Sequence, residues 1–186
     1  KEKSYAATVR RINQILANLY SANRFLLYNG NLDDREKNFF LSVDVGMDET
    51  TATMAIHQLS FFLSRYYEKK VMILLDEYDT PMQEAYVNGY WDELVSFTRS
   101  MFNAAFKTNF CLERAIMTGI TRVSKESIFS DLNNLEVVTT TSEKYADCFG
   151  FREEEVFAVL DEYGLSEKRQ EVKTWYDGFT FGKQKD

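Results

Sequence analysis

Val71-Met72-Ile73-Leu74-Leu75-Asp76-Glu77-Tyr78-Asp79-Thr80-Pro81 is the stretch on which the fold turns. Five consecutive apolar residues are too few for a buried helix and suit a strand covered on both faces. The run stops abruptly at acids. Thr80 and Gln83, three residues apart around Pro81, then read as a capping box with proline at the first helical position, where no amide is missed.

Working outward, helical periodicity dominates both flanks. Tyr5, Val9, Ile12, Leu16 and Leu19 recur at spacings of three and four, which places them on one helix face and Arg10, Arg11 and Gln14 toward water. Asn29-Gly30-Asn31 marks a turn. Asp33 is placed to cap a short second helix, with Glu36 near its positive end. From about Thr51, the stripe Met54, Ile56, Leu59, Phe62, Leu63 and Tyr66 predicts a longer helix that stops at Lys69-Lys70. Downstream, Trp91 to Phe106 traces another amphipathic helix. Arg114 to Thr118 reads as a second strand and the β-branched segment Leu135 to Thr141 as a third. Helical stretches follow around Glu153 to Glu162 and Ser166 to Trp175. Strands separated by long helices imply an α/β fold with a largely parallel sheet, whose sites collect at the carboxyl ends of the strands.

The chain has 186 residues, 45% of them hydrophobic and 27% charged, with a net charge of −7. That is too apolar for a disordered chain and is enough for one domain with a small appendage. The acidic balance argues against broad electrostatic attraction to nucleic acid or anionic lipid, although a local basic groove stays open. No apolar run is long enough to span a membrane and the start, Lys1-Glu2-Lys3-Ser4, lacks the apolar stretch of a signal peptide, so a cytoplasmic location is expected. Cys111 and Cys148 lie far apart without C-x-x-C spacing and are expected as free thiols. The chain begins at Lys1 and ends in the polar run Gly182 to Asp186, which suggests a fragment of something longer.

An apolar strand followed by Asp76-Glu77 has the form of a Walker B motif. In that motif the first acid holds the magnesium of a bound nucleotide and the second orients or deprotonates water. Taken alone, a strand ending in acids is also an ordinary solvated turn. The next strand ends in Thr118, with Arg122 four residues on, a placement from which a γ-phosphate can be sensed. The plain alternatives are a strand-end hydroxyl bonded to backbone and a surface ion pair. Ser124 and Ser127 read as helix caps.

Three separated strings together resemble the bacterial AAA-ATPase-like family. They are Val71 to Pro81, the run Met117-Thr118-Gly119-Ile120-Thr121-Arg122 continuing to Leu135, and Trp175-Tyr176-Asp177-Gly178-Phe179. The resemblance runs over nearly the whole chain. It implies a partial P-loop NTPase-like three-layer sandwich in which the first strand and P-loop are missing. Residues 1–150 would form the ATPase-like core, and residues 151–186 a helical appendage beginning a C-terminal subdomain. It further implies ATP and Mg as cofactors of the intact protein. Asp76 would bind the metal through water, Glu77 would be the catalytic base, and Thr118 with Arg122 would form the sensor region. Such proteins commonly carry a PD-(D/E)XK nuclease-like domain afterwards. The missing strand would lie between the second and third strands named above, so a gapped sheet is expected there. One departure is large: no G-x-x-x-x-G-K-[ST] occurs in the chain, and that loop supplies most of a phosphate cradle. The chain alone is therefore expected to bind Mg-ATP weakly or not at all and to be inactive.

Two other classes compete. A receiver-like phosphoacceptor would use Asp76 and Pro81, but the proline is one position too far and no acidic pair closes an earlier strand. A non-catalytic ATPase-like scaffold that assembles partners would keep the acids only for turn structure. A further copy of the chain and nucleic acid stay open as partners, and a membrane is not expected. His57 is the lone histidine, with no nucleophile beside it in sequence, so triad chemistry is not suggested.

Overall fold

The structure is a computed structural model. It describes residues 2–120, 128, 129, 132, 134–148, 150–176, 178, 180, 181, 184 and 185. These fall into two compact units, Lys1–Asn134 and Leu135–Asp186.

In the first unit α1 (Tyr5–Ala22) starts where the Ser4 hydroxyl accepts the Ala7 amide. Its buried face is Thr8, Val9, Asn13, Leu16 and Tyr20, whereas Leu19 is exposed. The apolar stripe in the sequence thus sits about one residue off the true core line, because Asn13 and Thr8 are buried through hydrogen bonds that periodicity of apolar residues does not register. A 3-10 turn (Arg24–Leu27) leads to α2 (Asp34–Ser42). There Asp33 and Glu36 form a reciprocal capping box, and Glu36 also takes a two-pronged ion pair from Arg65, at 3.0 and 2.6 Å. α3 (Glu49–Tyr67) is the central helix, burying Ala52, Ala55, Leu59, Ser60 and Phe62 and packing against α1.

After α3 come β1 (Val71–Leu75), α4 (Thr80–Asn88), α5 (Trp91–Phe102) with a π-helical continuation (Asn103–Lys107), and β2 (Leu112–Met117). The expected strand and the acidic turn after it form as read. The cap of α4 does not: the N-cap is Asp79, one residue earlier than Thr80, it makes no side-chain cap bond, and Thr80 lies inside the helix. β1 and β2 pair in parallel from Val71↔Leu112 to Leu75↔Met117, with a bulge after Val71. α3 and α5 pack on each other, and Leu94 on α5 is fully buried.

Two sheet expectations fail. Leu135–Thr141 forms no strand; instead the Ser142 hydroxyl and amide bond Thr139 and close a turn. β-branched composition favours a strand only where a neighbour supplies a ladder, and this segment opens the second unit, where the described strands, β3 and β4, pair only with each other. Nor is β1 covered on both faces. Val71, Ile73 and Leu75 are half-buried, but Met72 and Leu74 on the other face are 59% and 71% exposed, and Ile116 beside them on β2 is also exposed.

The second unit holds α6 (Glu153–Glu162), a 3-10 turn (Ser166–Lys168), α7 (Arg169–Tyr176) and a two-residue antiparallel ladder of β3 (Thr180–Phe181) with β4 (Gln184–Lys185). Ion pairs join α6 to α7: Asp161 with Arg169 and Glu153 with Lys173. Asp161 also accepts the Ser166 hydroxyl, and these contacts hold its carboxyl below the usual range. Both cysteines are free, Cys111 buried and Cys148 exposed.

Candidate functional site

The carboxyl ends of β1 and β2 bring Asp76, Glu77 and Thr118 together. The ladder runs on past both strands, with the Thr118 amide bonding Leu75 O at 2.9 Å and the Tyr78 amide bonding Thr118 O at 3.1 Å. For Tyr78 to return to Thr118, the chain must reverse between them. Glu77 makes that reversal with φ of +50°, a left-handed backbone that costs a side-chain-bearing residue about 1 kcal/mol. The Thr80 amide then closes onto Glu77 O at 3.1 Å and starts α4.

The side chains diverge as a result. Asp76 Oδ1 accepts the Thr118 hydroxyl and the Glu77 amide, the latter at 3.1 Å. Those two bonds fix the rotamer of Asp76 and leave Oδ2 without a partner among the described residues. Glu77 points its carboxylate into solvent, and both acids are exposed. Chemically this is one oriented carboxylate with a free oxygen, next to a second carboxylate that a neighbouring water can reach.

Two residues whose part in the site the sequence reading missed hold this turn in place. Asp79 has no exposed surface. Its Oδ2 accepts Gln83 Nε2 and its carbonyl accepts the Gln83 amide, both at 3.0 Å. Gly119 lies directly over it: a methyl group there would stand 2.5 Å from Asp79 Oδ1 and 3.0 Å from the Tyr78 ring. The Tyr78 ring in turn packs edge-on against Phe129. The signal available in the sequence was the glycine placed directly after a strand-end threonine, which marks close backbone approach.

Arg122, Ser124 and Ser127 lie outside the described residues, as do Asp177 and Phe179 of the last string. Gly178 takes a φ of +115° just past the end of α7, and Trp175 and Tyr176 are exposed. Among the described residues no cluster of three or more His, Cys, Asp or Glu could hold a metal by itself, and no helix is long and apolar enough to cross a membrane.

The fold and the site thus define an α/β domain with polar groups gathered at the carboxyl ends of parallel strands, where such sheets hold their ligands. The chain belongs to the AAA-ATPase-like family, described as predicted AAA-ATPases, whose model matches residues 2–129. The match includes the Asp76 turn and Thr118; the Trp175 to Phe179 string lies beyond it. The chain is also similar to a protein of Azotobacter chroococcum mcd 1 described only as "Uncharacterized protein in vnfD 5'region", with 29% identity over 114 residues. That alignment covers 61% of this chain and 22% of the relative, so the chain spans under a quarter of its length. No solved structure matches.

Proposed function

We infer that this chain carries the metal- and water-handling part of an ATPase. The observation that supports it is the pairing of Asp76, oriented by Thr118 with one oxygen left over, with a strained and outward-facing Glu77. Strain kept at a polar residue by surrounding hydrogen bonds is a mark of functional sites.

Magnesium bound to a nucleotide would supply charge neutralisation between the phosphates. This chain's own residues do the rest. Asp76 Oδ2 would hold that magnesium through water, since a single carboxylate with water ligands suits magnesium better than a closed protein cage does. Thr118 keeps Oδ1 occupied, so that Oδ2 alone faces the ligand. Glu77 accepts a proton from the attacking water, and Arg122 stabilises charge on the transferred phosphoryl group. The donor set fits a water-mediated magnesium. It does not fit the phosphates themselves, because the chain holds no P-loop sequence to place backbone amides and a lysine around them. The site therefore belongs to a partial P-loop NTPase-like sandwich, and the chain by itself binds Mg-ATP weakly or not at all.

A scaffold that assembles partners is the second reading, favoured by the bare apolar sheet face at Met72, Leu74 and Ile116. One experiment separates the two. Mg-ATP binding and hydrolysis are measured on a polypeptide of the same gene extended upstream, on its Glu77→Gln variant and on the present chain. The ATPase reading expects binding by both extended proteins, turnover only with Glu77, and nothing from the chain alone. Turnover that survives Glu77→Gln removes Glu77 as the base, and an extended protein that neither binds nor hydrolyses leaves the scaffold.

A further inference from the structure

At the amino-terminal end of β1, about 15 Å from the Asp76 turn at the ordinary rise of a strand, α3 stops at Glu68, whose φ is +52°. The stop leaves Tyr66, Tyr67, Lys69 and Lys70 exposed side by side. The Phe25 ring, from the 3-10 turn after α1, packs on both tyrosines, with centroids 5.0 Å from Tyr66 and 6.5 Å from Tyr67, and the two tyrosine rings cross at 89°. On the other side of the lysines, the Val71 amide bonds Cys111 O at 2.8 Å, which brings Phe110 next to the Lys70–Val71 step. Phe110 crosses Phe61 at 68°. Crossed rings are not sandwiched: Tyr67 is 57% and Phe110 70% exposed, so each keeps flat surface toward solvent.

Positive charge gathers at the same end. The segments that meet there, residues 24–37, 65–70 and 103–114, carry eight Lys and Arg against five Asp and Glu, whereas the whole chain carries 22 against 29. Arg65 is spent on Glu36 and over the Phe61 ring. Arg24, Lys69, Lys70 and Lys107 are exposed and have no ion-pair partner among the described residues. Such a local excess in an acidic chain is complementary to a polyanion, and the rings decide which one. An acidic peptide would use the cations and leave the rings idle. A lipid surface calls for side chains free to reach into it, and these rings are locked against one another. Unpaired nucleobases on their phosphate chain use both, because every base has a flat face to stack.

We propose that this end of the sheet binds single-stranded nucleic acid, with bases stacked on Tyr67 and Phe110 and the phosphates between them paired with Lys69 and Lys70. Phe25 and Tyr66 hold the Tyr67 ring in place, and Arg24 and Lys107 extend the positive strip to either side. The surface is separate from the Asp76 turn and does not rest on the ATPase reading.

The test is fluorescence anisotropy of a labelled oligothymidine of about 12 nucleotides, titrated with the chain. Saturable binding with a Kd below about 100 μM in about 50 mM salt is expected, and two or three phosphate contacts should weaken it about 7- to 18-fold on going to about 200 mM. Tyr67→Ala and Phe110→Ala should each weaken it about 5- to 150-fold. Tyr67→Phe should bind as the parent does, whereas Tyr67→Leu, apolar without a flat face, should behave like the alanine. Replacing Lys69 and Lys70 together by glutamine should flatten the salt dependence. All of these side chains are exposed, so far-ultraviolet circular dichroism should stay the same in every variant. A duplex of equal length hides its base faces and should bind at least about fivefold more weakly. The proposal falls if the Kd for the single strand is above about 100 μM, if the duplex or polyglutamate binds equally well, which would make the surface a reader of charge alone, or if Tyr67→Leu matches Tyr67→Phe. Capture of the chain by phosphatidylserine vesicles without binding of the oligonucleotide would overturn it in favour of a membrane. None of these outcomes depends on nucleotide hydrolysis.

Discussion

Replacing Gly119 by alanine tests the packing beneath the acidic turn. The added methyl would sit 2.5 Å from Asp79 Oδ1 and 2.8 Å from its carboxyl carbon, against the 3.4 Å at which ordinary contact begins. Asp79 has nowhere to go, being fully buried and bonded to Gln83 through both its side chain and its carbonyl. Forcing a methyl into such a site costs about 1 to 3 kcal/mol. The backbone at Gly119 is outside the left-handed region, so the alanine also gains about 0.4 to 1 kcal/mol from a stiffer unfolded chain. At 2.5 Å from a fixed carboxylate oxygen the upper half of that cost applies, so the net expectation is a loss of about 1 to 2.6 kcal/mol, or about 2 to 4 °C in Tm for each kcal/mol. Trp91 lies in the first unit, so guanidinium unfolding followed by its fluorescence, in a Trp175→Phe background, reads the right transition. A Gly119→Ala protein as stable as its parent, or more so, would mean that the close approach over Asp79 is not there.

Leu94→Ala should cost about 2 to 5 kcal/mol because Leu94 is fully enclosed, while Leu74→Lys should stay within about 0.5 kcal/mol because that side chain stands on the open sheet face; denaturant midpoints that reverse this order would mean that the covered face of β1 is misassigned. Tyr20→Phe strips the 2.8 Å bond to Ala55 O inside the core and should cost about 1 to 2 kcal/mol. Burial raises the Tyr20 phenol far above its ordinary 10.0, so its stabilisation is complete below pH 10 and fades only at higher pH. Ultraviolet titration should therefore find two tyrosines that ionise well after the others, Tyr20, held back by burial, and Tyr5, held back by burial and its bond to Glu49. Glu36 behaves in the opposite sense: the Arg65 guanidinium holds its carboxyl below the ordinary 4.5. The stability difference between the parent and Glu36→Gln, about 1 kcal/mol for such a partly exposed pair, should be present above that value and vanish as pH falls through the lowered one, as read from urea midpoints between about pH 7 and about pH 3.

Most elements of the fold were legible because each has a local cause. The β1 run needed only its five apolar residues and the acids behind them, and α2 announced itself through Asp33 and Glu36. What failed depends on neighbours that a local pattern does not contain. Leu135 to Thr141 has strand composition but no ladder, and Ser142 takes the chain into a turn instead. The cap of α4 moved to Asp79 because that residue is drawn into the buried contact beneath Gly119. At the site, strand alternation by itself would turn Asp76 and Glu77 to opposite sides. The structure achieves it differently, by a left-handed Glu77 that the return bond from Tyr78 to Thr118 requires.

The open face of the sheet bears on that site directly. Parallel strands are ordinarily covered on both sides, and Met72, Leu74 and Ile116 stand exposed along the same two strands whose ends carry Asp76 and Thr118. Burying what is still exposed of these side chains, 59% of Met72, 71% of Leu74 and 48% of Ile116, is worth roughly 1 to 2 kcal/mol each, of the same order as the strain at Glu77. An element laid on that face would therefore fix the spacing of β1 and β2 with more energy than the local turn does. The Asp76 to Thr118 bond spans those two strands and would be held at the spacing they set. Stability of the strand pair and competence of its acids should consequently rise together. A substitution such as Leu74→Lys, silent in this chain alone, should become costly for both fold and hydrolysis in any longer protein where the face is covered.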